Sequence, residues 1–141
     1  VIQLVHNAID LQSVLSSVAD DNCGAAVLFT GSTRRWTGDI HTERLSYEAY
    51  ESMALAQLQR IADEAVTRWS ISRVSIVHRL GDVGVGEVSV AVAVSSPHRY
   101  DSFQAASWLI DTLKKDVPIW KCDFDTADHG QWAHPSRESA P

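Results

Sequence analysis

The chain has three lysines, Lys114, Lys115 and Lys121, and they fall in one short stretch, while nine arginines carry the remaining basic charge. Lys114 belongs to the last turn of a predicted helix, and Lys121 to a strand after Pro118. A helix end followed by a tight return can bring two such side chains to one pocket. Neighbouring ammonium groups lower each other's pKa and burial adds to that, which makes a lysine usable as a base or nucleophile near neutral pH. The alternative is a helix C-terminus decorated with cations that complement the macrodipole. That alternative accounts for Lys114 and Lys115 better than for Lys121.

Two further segments suit an anionic ligand. Ser96-Pro97-His98-Arg99 stands where a strand ends and a helix opens. Helix N-termini offer unpaired N–H groups and a positive dipole end. An arginine is disfavoured there unless an anion is present, so His98 and Arg99 are candidates for holding one; a solvated arginine beside a packed histidine is the competing reading. Thr30-Gly31-Ser32-Thr33-Arg34 places glycine and small hydroxyl side chains before an arginine, which permits close approach to a ligand at Ser32, Thr33 and Arg34. It fits a plain strand exit as well.

Other patterns point away from chemistry. Gly81-Asp82-Val83-Gly84-Val85-Gly86 has the glycines of a phosphate loop, but no Lys-Ser/Thr follows and no helix opens after it, so it reads as a hairpin turn. The histidines are scattered and Cys23 and Cys122 form no CxxC pair, so neither a metal site nor a metal cofactor is expected. Cys122 beside Lys121 could serve as a nucleophile, but an inert strand thiol is the simpler reading. Trp120 and Trp132 are candidates for a pocket or an interface.

These residues need a scaffold. Val1–Val5 reads as a strand, and Asp10 as the cap of a short helix to about Ala19. The run 23–33 reads as a buried strand, 34–41 as a polar loop, and 42–50 as a returning strand. Leu55, Leu58, Ala62, Ala65 and Trp69 give 51–69 helical periodicity. Residues 72–80, with Val74, Ile76, His78 and Leu80 on one face, and 87–95, with alternating valines, read as a hairpin. A second long helix over 99–115 turns Phe103, Ala106, Ile110 and Leu113 inward. Ile119–Phe124 follows as a strand, and the tail from Asp125 is expected to be irregular. Strands and helices in this mixed order, without strict βαβ alternation, give an α+β class in one domain over residues 1–141.

Composition sets the outer limits. The chain is 45% hydrophobic and 21% charged, normal for a globular protein. No apolar run approaches the roughly 20 residues of a membrane helix. Asn7 and Asp10 interrupt the opening, so no signal peptide is expected, and two unpaired cysteines suit a cytoplasmic protein. A net charge of −6 argues against a general nucleic-acid binder. An anion must then be held by a local basic pocket.

The ordered set Thr-Gly-x-x-Arg (30–34), His78-Arg79-Leu80-Gly81, Gly86-Glu87 with its valines, His98-Arg99, and Leu113-Lys114 through Pro118-Ile119-Trp120-Lys121 resembles the large, catalytic subunit of molybdopterin synthase. The resemblance runs from about Gly24 to Arg137. It implies an α/β-hammerhead-like fold with an additional antiparallel sheet. It also implies a sulfurtransferase of molybdenum cofactor biosynthesis, which converts cyclic pyranopterin monophosphate into the dithiolene molybdopterin. The implied sulfur donor is the C-terminal thiocarboxylate of a small ubiquitin-like subunit, whose tail enters a pocket of the large subunit. The implied assembly is a heterotetramer around a homodimer of large subunits.

Residue by residue, Lys114 and Lys121 match the family's two pocket lysines, with acid/base and intermediate-stabilising roles, and Lys114 is the nearer to the incoming tail. His98 and Arg99 match its anion-binding pair, and Arg34 a pocket arginine. Arg137 matches a tail arginine that reaches the neighbouring subunit's pocket. Thr33 replaces the usual hydrophobic residue, while Cys122 and Asp123 stand where a basic residue and a glutamate are usual; Asp123 keeps the charge with a shorter reach. A non-catalytic dimeric module that binds a phosphorylated metabolite is the alternative, though it would leave the two lysines without a task.

Overall fold

A computed structural model describes residues 1–125 and 129–133. Ten strands and three helices run in the order β1 (Ile2–Val5), α1 (Leu11–Ser16), β2 (Ala25–Ser32), β3 (Trp36–Thr37), β4 (Ile40–His41), β5 (Arg44–Ala49), α2 (Glu51–Arg68), β6 (Arg73–Arg79), β7 (Gly81–Gly84), β8 (Val88–Ser96), α3 (Arg99–Asp116), β9 (Ile119–Phe124) and β10 (Gly130–Ala133). One sheet has the order β1-β6-β8-β2, with β1 parallel to β6 and the other pairs antiparallel. A second, wholly antiparallel sheet has the order β10-β9-β5-β7, and β3 and β4 form a small hairpin. This is the predicted α+β class.

The first sheet is covered on both faces. Helices α2 and α3 pack on one side, where Leu58, Ile61, Leu109 and Leu113 meet Ile76, Val90, Val92 and Val94. The short α1 covers the other, where Val14 and Val18 meet Val77, Ala91 and Ala93. Side chains alternate across a strand, so β8 sends its valines to one core and its alanines to the other. Nearly all of β8 is therefore buried, and so is β6 from Ser75 to His78. Asp10 caps α1 as expected, accepting from the Ser13 amide at 3.2 Å.

Several expectations change. The segment 34–41 is not a plain loop but contains β3 and β4, reversed at Gly38, whose φ of 61° suits glycine. Strand β2 lies at a sheet edge and is only partly buried. Strands β6 and β8 do pair, yet 81–86 is more than their turn. Gly81, with φ of 82°, redirects the chain into β7, which joins the second sheet beside β5. Leu55 and Phe103 face outward, Phe103 with 60% of its surface exposed; Ala54 and Ile61 on α2 and Ala105 and Leu109 on α3 take the inward positions. The tail is not wholly irregular, because β10 extends the second sheet against β9.

Candidate active site

Alternation in the second sheet decides which side chains meet. Tyr47 stands opposite Lys121, and Leu45 opposite Asp123, across the β5–β9 pair. These four share one face, and Cys122 between them points to the other. Ile110, Leu113 and Lys114 arrive on the same side from the last two turns of α3. Val117 closes that helix through its amide to the Leu113 carbonyl, and the chain returns through Pro118 into β9. The tight return predicted from the sequence brings Lys114 and Lys121 to one cavity.

That cavity has a volume of about 250 Å³. Besides the two lysines it is lined by Ser32 and Arg34 from the end of β2, by Thr37, and by Thr42 just before β5. The chain can approach here because Gly31 has no side chain; a Cβ on it would lie 2.8 Å from Val90 Cγ1. Strand β2 also changes register between Gly31 and Ser32, so that Ser32 pairs with Val88 at the strand's end, just before Arg34.

The lining charges are Arg34, Lys114, Lys121 and Asp123. The Thr42 hydroxyl donates to the Asp123 carboxylate, with oxygens at 2.9 and 3.0 Å. Tyr47, His78 and Ser89 form a polar floor. The Tyr47 hydroxyl donates to Ser89 Oγ at 3.5 Å, and Ser89 donates to the Gly31 carbonyl at 3.3 Å. Burial pushes the His78 pKa down to about 4, against a smaller upward effect of its hydrogen bond to the Arg79 carbonyl. The cavity thus brings three basic side chains and one acidic one together in a chain of net charge −6. It is a local concentration of positive charge in an acidic chain.

The remaining candidates lie elsewhere. Thr33 is buried beneath the loop, where its hydroxyl reaches the Val83 carbonyl and its backbone bonds Gly86 and Glu87; it does not line the cavity. Cys122 is 1% exposed on the opposite face of β9, and burial, then the Asp123 charge, push its thiol pKa up. His98 and Arg99 are exposed at the start of α3. Fifteen residues separate Arg99 from Lys114 along that helix, about 22 Å at 1.5 Å per residue. Arg137 lies outside the described residues. Thr42, Tyr47, His78 and Ser89 were missed by sequence reasoning. A histidine among Val74, Ile76 and Leu80 on a core face was the one available signal.

A second hollow of about 620 Å³, lined by Ile40, His41, His129, Gln131 and Trp132, adjoins the first through Thr37 and Asp123. Trp132 thus does line a pocket; both it and Trp120 are exposed, at 50% and 41%. Among the described residues, no group of three His, Cys, Asp or Glu side chains could hold a metal ion, and no helix is long and apolar enough to cross a membrane.

The family model described as MoaE protein matches residues 4–116. A protein of Staphylococcus carnosus named molybdopterin synthase catalytic subunit is 47% identical over 109 residues, covering 77% of this chain and 72% of its own. A Drosophila mojavensis protein of the same name is 41% identical over 133 residues, 93% of this chain. The chain spans only 36% of that relative's length. Among solved structures, molybdopterin synthase from Staphylococcus aureus superposes with a TM-score of 0.88 at 38% identity, covering 92% of this chain and 94% of that one.

Proposed function

This chain belongs to the MoaE family, and from that membership we propose that it is the catalytic subunit of a molybdopterin synthase, a cytoplasmic sulfurtransferase of molybdenum cofactor biosynthesis. In this reading it moves sulfur from the thiocarboxylated C-terminus of a small ubiquitin-like subunit to cyclic pyranopterin monophosphate, forming the dithiolene. The observation that carries the reading is the meeting of Arg34, Lys114 and Lys121 in one cavity.

Both reactants are anions. Two unit charges about 5 Å apart repel by about 3 kcal/mol at an effective dielectric of 20. Fixed cations offset that cost before reaction and stabilise charge that develops during attack. Lys114, on the helix end, is assigned to the incoming tail, and Lys121 to proton transfer and to the intermediate. Arg34 and Ser32 hold the substrate. Asp123, anchored by Thr42, sets the cavity's net charge between the two hollows.

His98 and Arg99 enter this reading through the homodimer. Their distance along α3 prevents them from reaching a small ligand beside Lys114 of their own copy. They are therefore assigned to the cavity of the second copy, where they add to phosphate binding, together with Arg137. The heterotetramer then has two composite sites.

The test is reconstitution. The chain, mixed with a thiocarboxylated small subunit and the pterin precursor, should yield the dithiolene product. Absence of product, under conditions in which a reference synthase turns over, would reject the assignment.

A further inference from the structure

The polar groups of the cavity divide by hydrogen-bonding capacity. Arg34, Lys114 and Lys121 can only donate. The floor is arranged the other way. Ser89 gives its proton to the Gly31 carbonyl, and Tyr47 gives its own to Ser89. His78 Nδ1 lies 2.8 Å from the Arg79 carbonyl. A carbonyl only accepts, so the ring proton sits on Nδ1 and Nε2 keeps its lone pair. Nε2 has no hydrogen-bond partner among the described residues, and it is not one of the buried polar atoms shut away without one. The His78 ring is one of the groups that line the cavity.

We propose that His78 is a specificity-determining residue that touches the substrate: its Nε2 opens onto the cavity and accepts a ring or amino N–H of a neutral heterocycle whose anionic substituent is held on the cavity's cationic side by Arg34. The inference rests on the sulfur-transfer reading above, in which the heterocycle is a pterin with amide and amino N–H groups on its edge. It adds an orientation, with the phosphate toward the cations and the N–H edge toward the floor.

The environment keeps the acceptor available. At 3% exposure the ring stays neutral through the physiological range. An imidazolium would donate instead of accepting, and would add a fourth cation to the cavity. The edge-on contact with Tyr47, centroids 4.9 Å apart, holds the ring in place. A histidine kept only for that packing would be indifferent to the donor pattern of a ligand. One that reads an N–H rejects an analogue lacking it, because its buried acceptor is then left unpaired.

The experiment titrates the full chain with three probes: unsubstituted pterin, a pterin whose N–H groups are methylated, and inorganic phosphate. Wild type should prefer pterin over the methylated ring by about tenfold or more. His78→Leu should lose that preference while binding phosphate within about twofold of wild type. His78→Gln, which can return an amide oxygen near the Nε2 position, should keep most of it. An unchanged preference in His78→Leu, or no discrimination by wild type, overturns the role of His78. If the leucine variant does not fold, wild type and His78→Gln decide the matter: a folded glutamine variant that loses the preference overturns the role of His78. Wild type that binds no pterin, or binds it without discrimination, overturns this inference alone; the sulfur-transfer reading stands or falls with the reconstitution.

Discussion

Thr42 Oγ1 stands 2.9 and 3.0 Å from the two carboxylate oxygens of Asp123, so a single hydroxyl proton is shared across the one carboxylate among the described residues lining the cavity. Thr42 is 1% exposed, and water cannot readily replace it. Thr42→Val keeps the shape and removes the donor. It should lower unfolding free energy by about 1.5–3 kcal/mol, the size of a hydrogen bond to a charged group. A urea midpoint equal to wild type would show that the bond contributes nothing.

Lys121→Ala should abolish most turnover in the reconstituted reaction and leave folding and small-subunit binding near wild type. The side chain is only half-buried and lines the cavity, so its loss removes charge stabilisation and not core packing. Turnover within about twofold of wild type would remove Lys121 from the mechanism.

The assignment of Arg99 to the neighbouring copy predicts complementation. Arg99→Ala and Lys121→Ala homodimers should each be nearly inactive. Random mixing makes half of the dimers hybrid, and each hybrid has one intact composite site. Activity should therefore recover to about a quarter of wild type. No recovery after verified subunit exchange would argue against shared sites.

His78 makes stability depend on pH. Its folded pKa of about 4 lies below the ordinary value of 6.5. Between those values the unfolded chain binds the proton and the folded chain does not, so stability is full above pH 6.5 and falls toward pH 4. The whole drop corresponds to about 3 kcal/mol. Urea midpoints at pH 7 and pH 5 should differ in wild type, and the difference should shrink in His78→Leu. Equal shrinkage in Lys115→Ala, whose side chain is exposed and lines no part of the cavity, would assign the effect elsewhere.

Cys122 should resist alkylation in the native state. The thiolate is the reactive form, and burial raises the thiol pKa while closing access. Iodoacetamide at pH 7.5 should modify Cys122 only after unfolding, and Cys122→Ala should keep most turnover. Rapid native labelling would contradict the placement.

The legible parts of the fold were those governed by local rules. Asp10 capped α1, the apolar spacing marked α2 and α3, and Pro118 marked the return into β9. The misread parts were those that long-range pairing decides. The glycines of 81–86 looked like a turn because glycine allows one, yet β5 was available as a partner and drew Gly81–Gly84 into a strand. Phe103 was expected inside on spacing alone, but α3 packs with Ala105 and Leu109 toward the sheet, which rotates Phe103 outward.

For the site, the sequence by itself marked Lys114 and Lys121 as a candidate pair, because the end of a helix and the first residues of the strand that follows it stay close in space. It also carried, through the order of its motifs, the family to which the chain belongs. Only the tertiary structure decided which residues share the cavity. Arg34 joins the lysines because β2 exits its sheet there, and Asp123 joins while Cys122 does not because alternate side chains of β9 face opposite ways. Arg99 is excluded within one copy by the length of α3, and His78 becomes a floor residue because the second sheet closes over the end of β6. These are consequences of register, helix length and layer packing, and a linear sequence expresses none of them until the chain is folded.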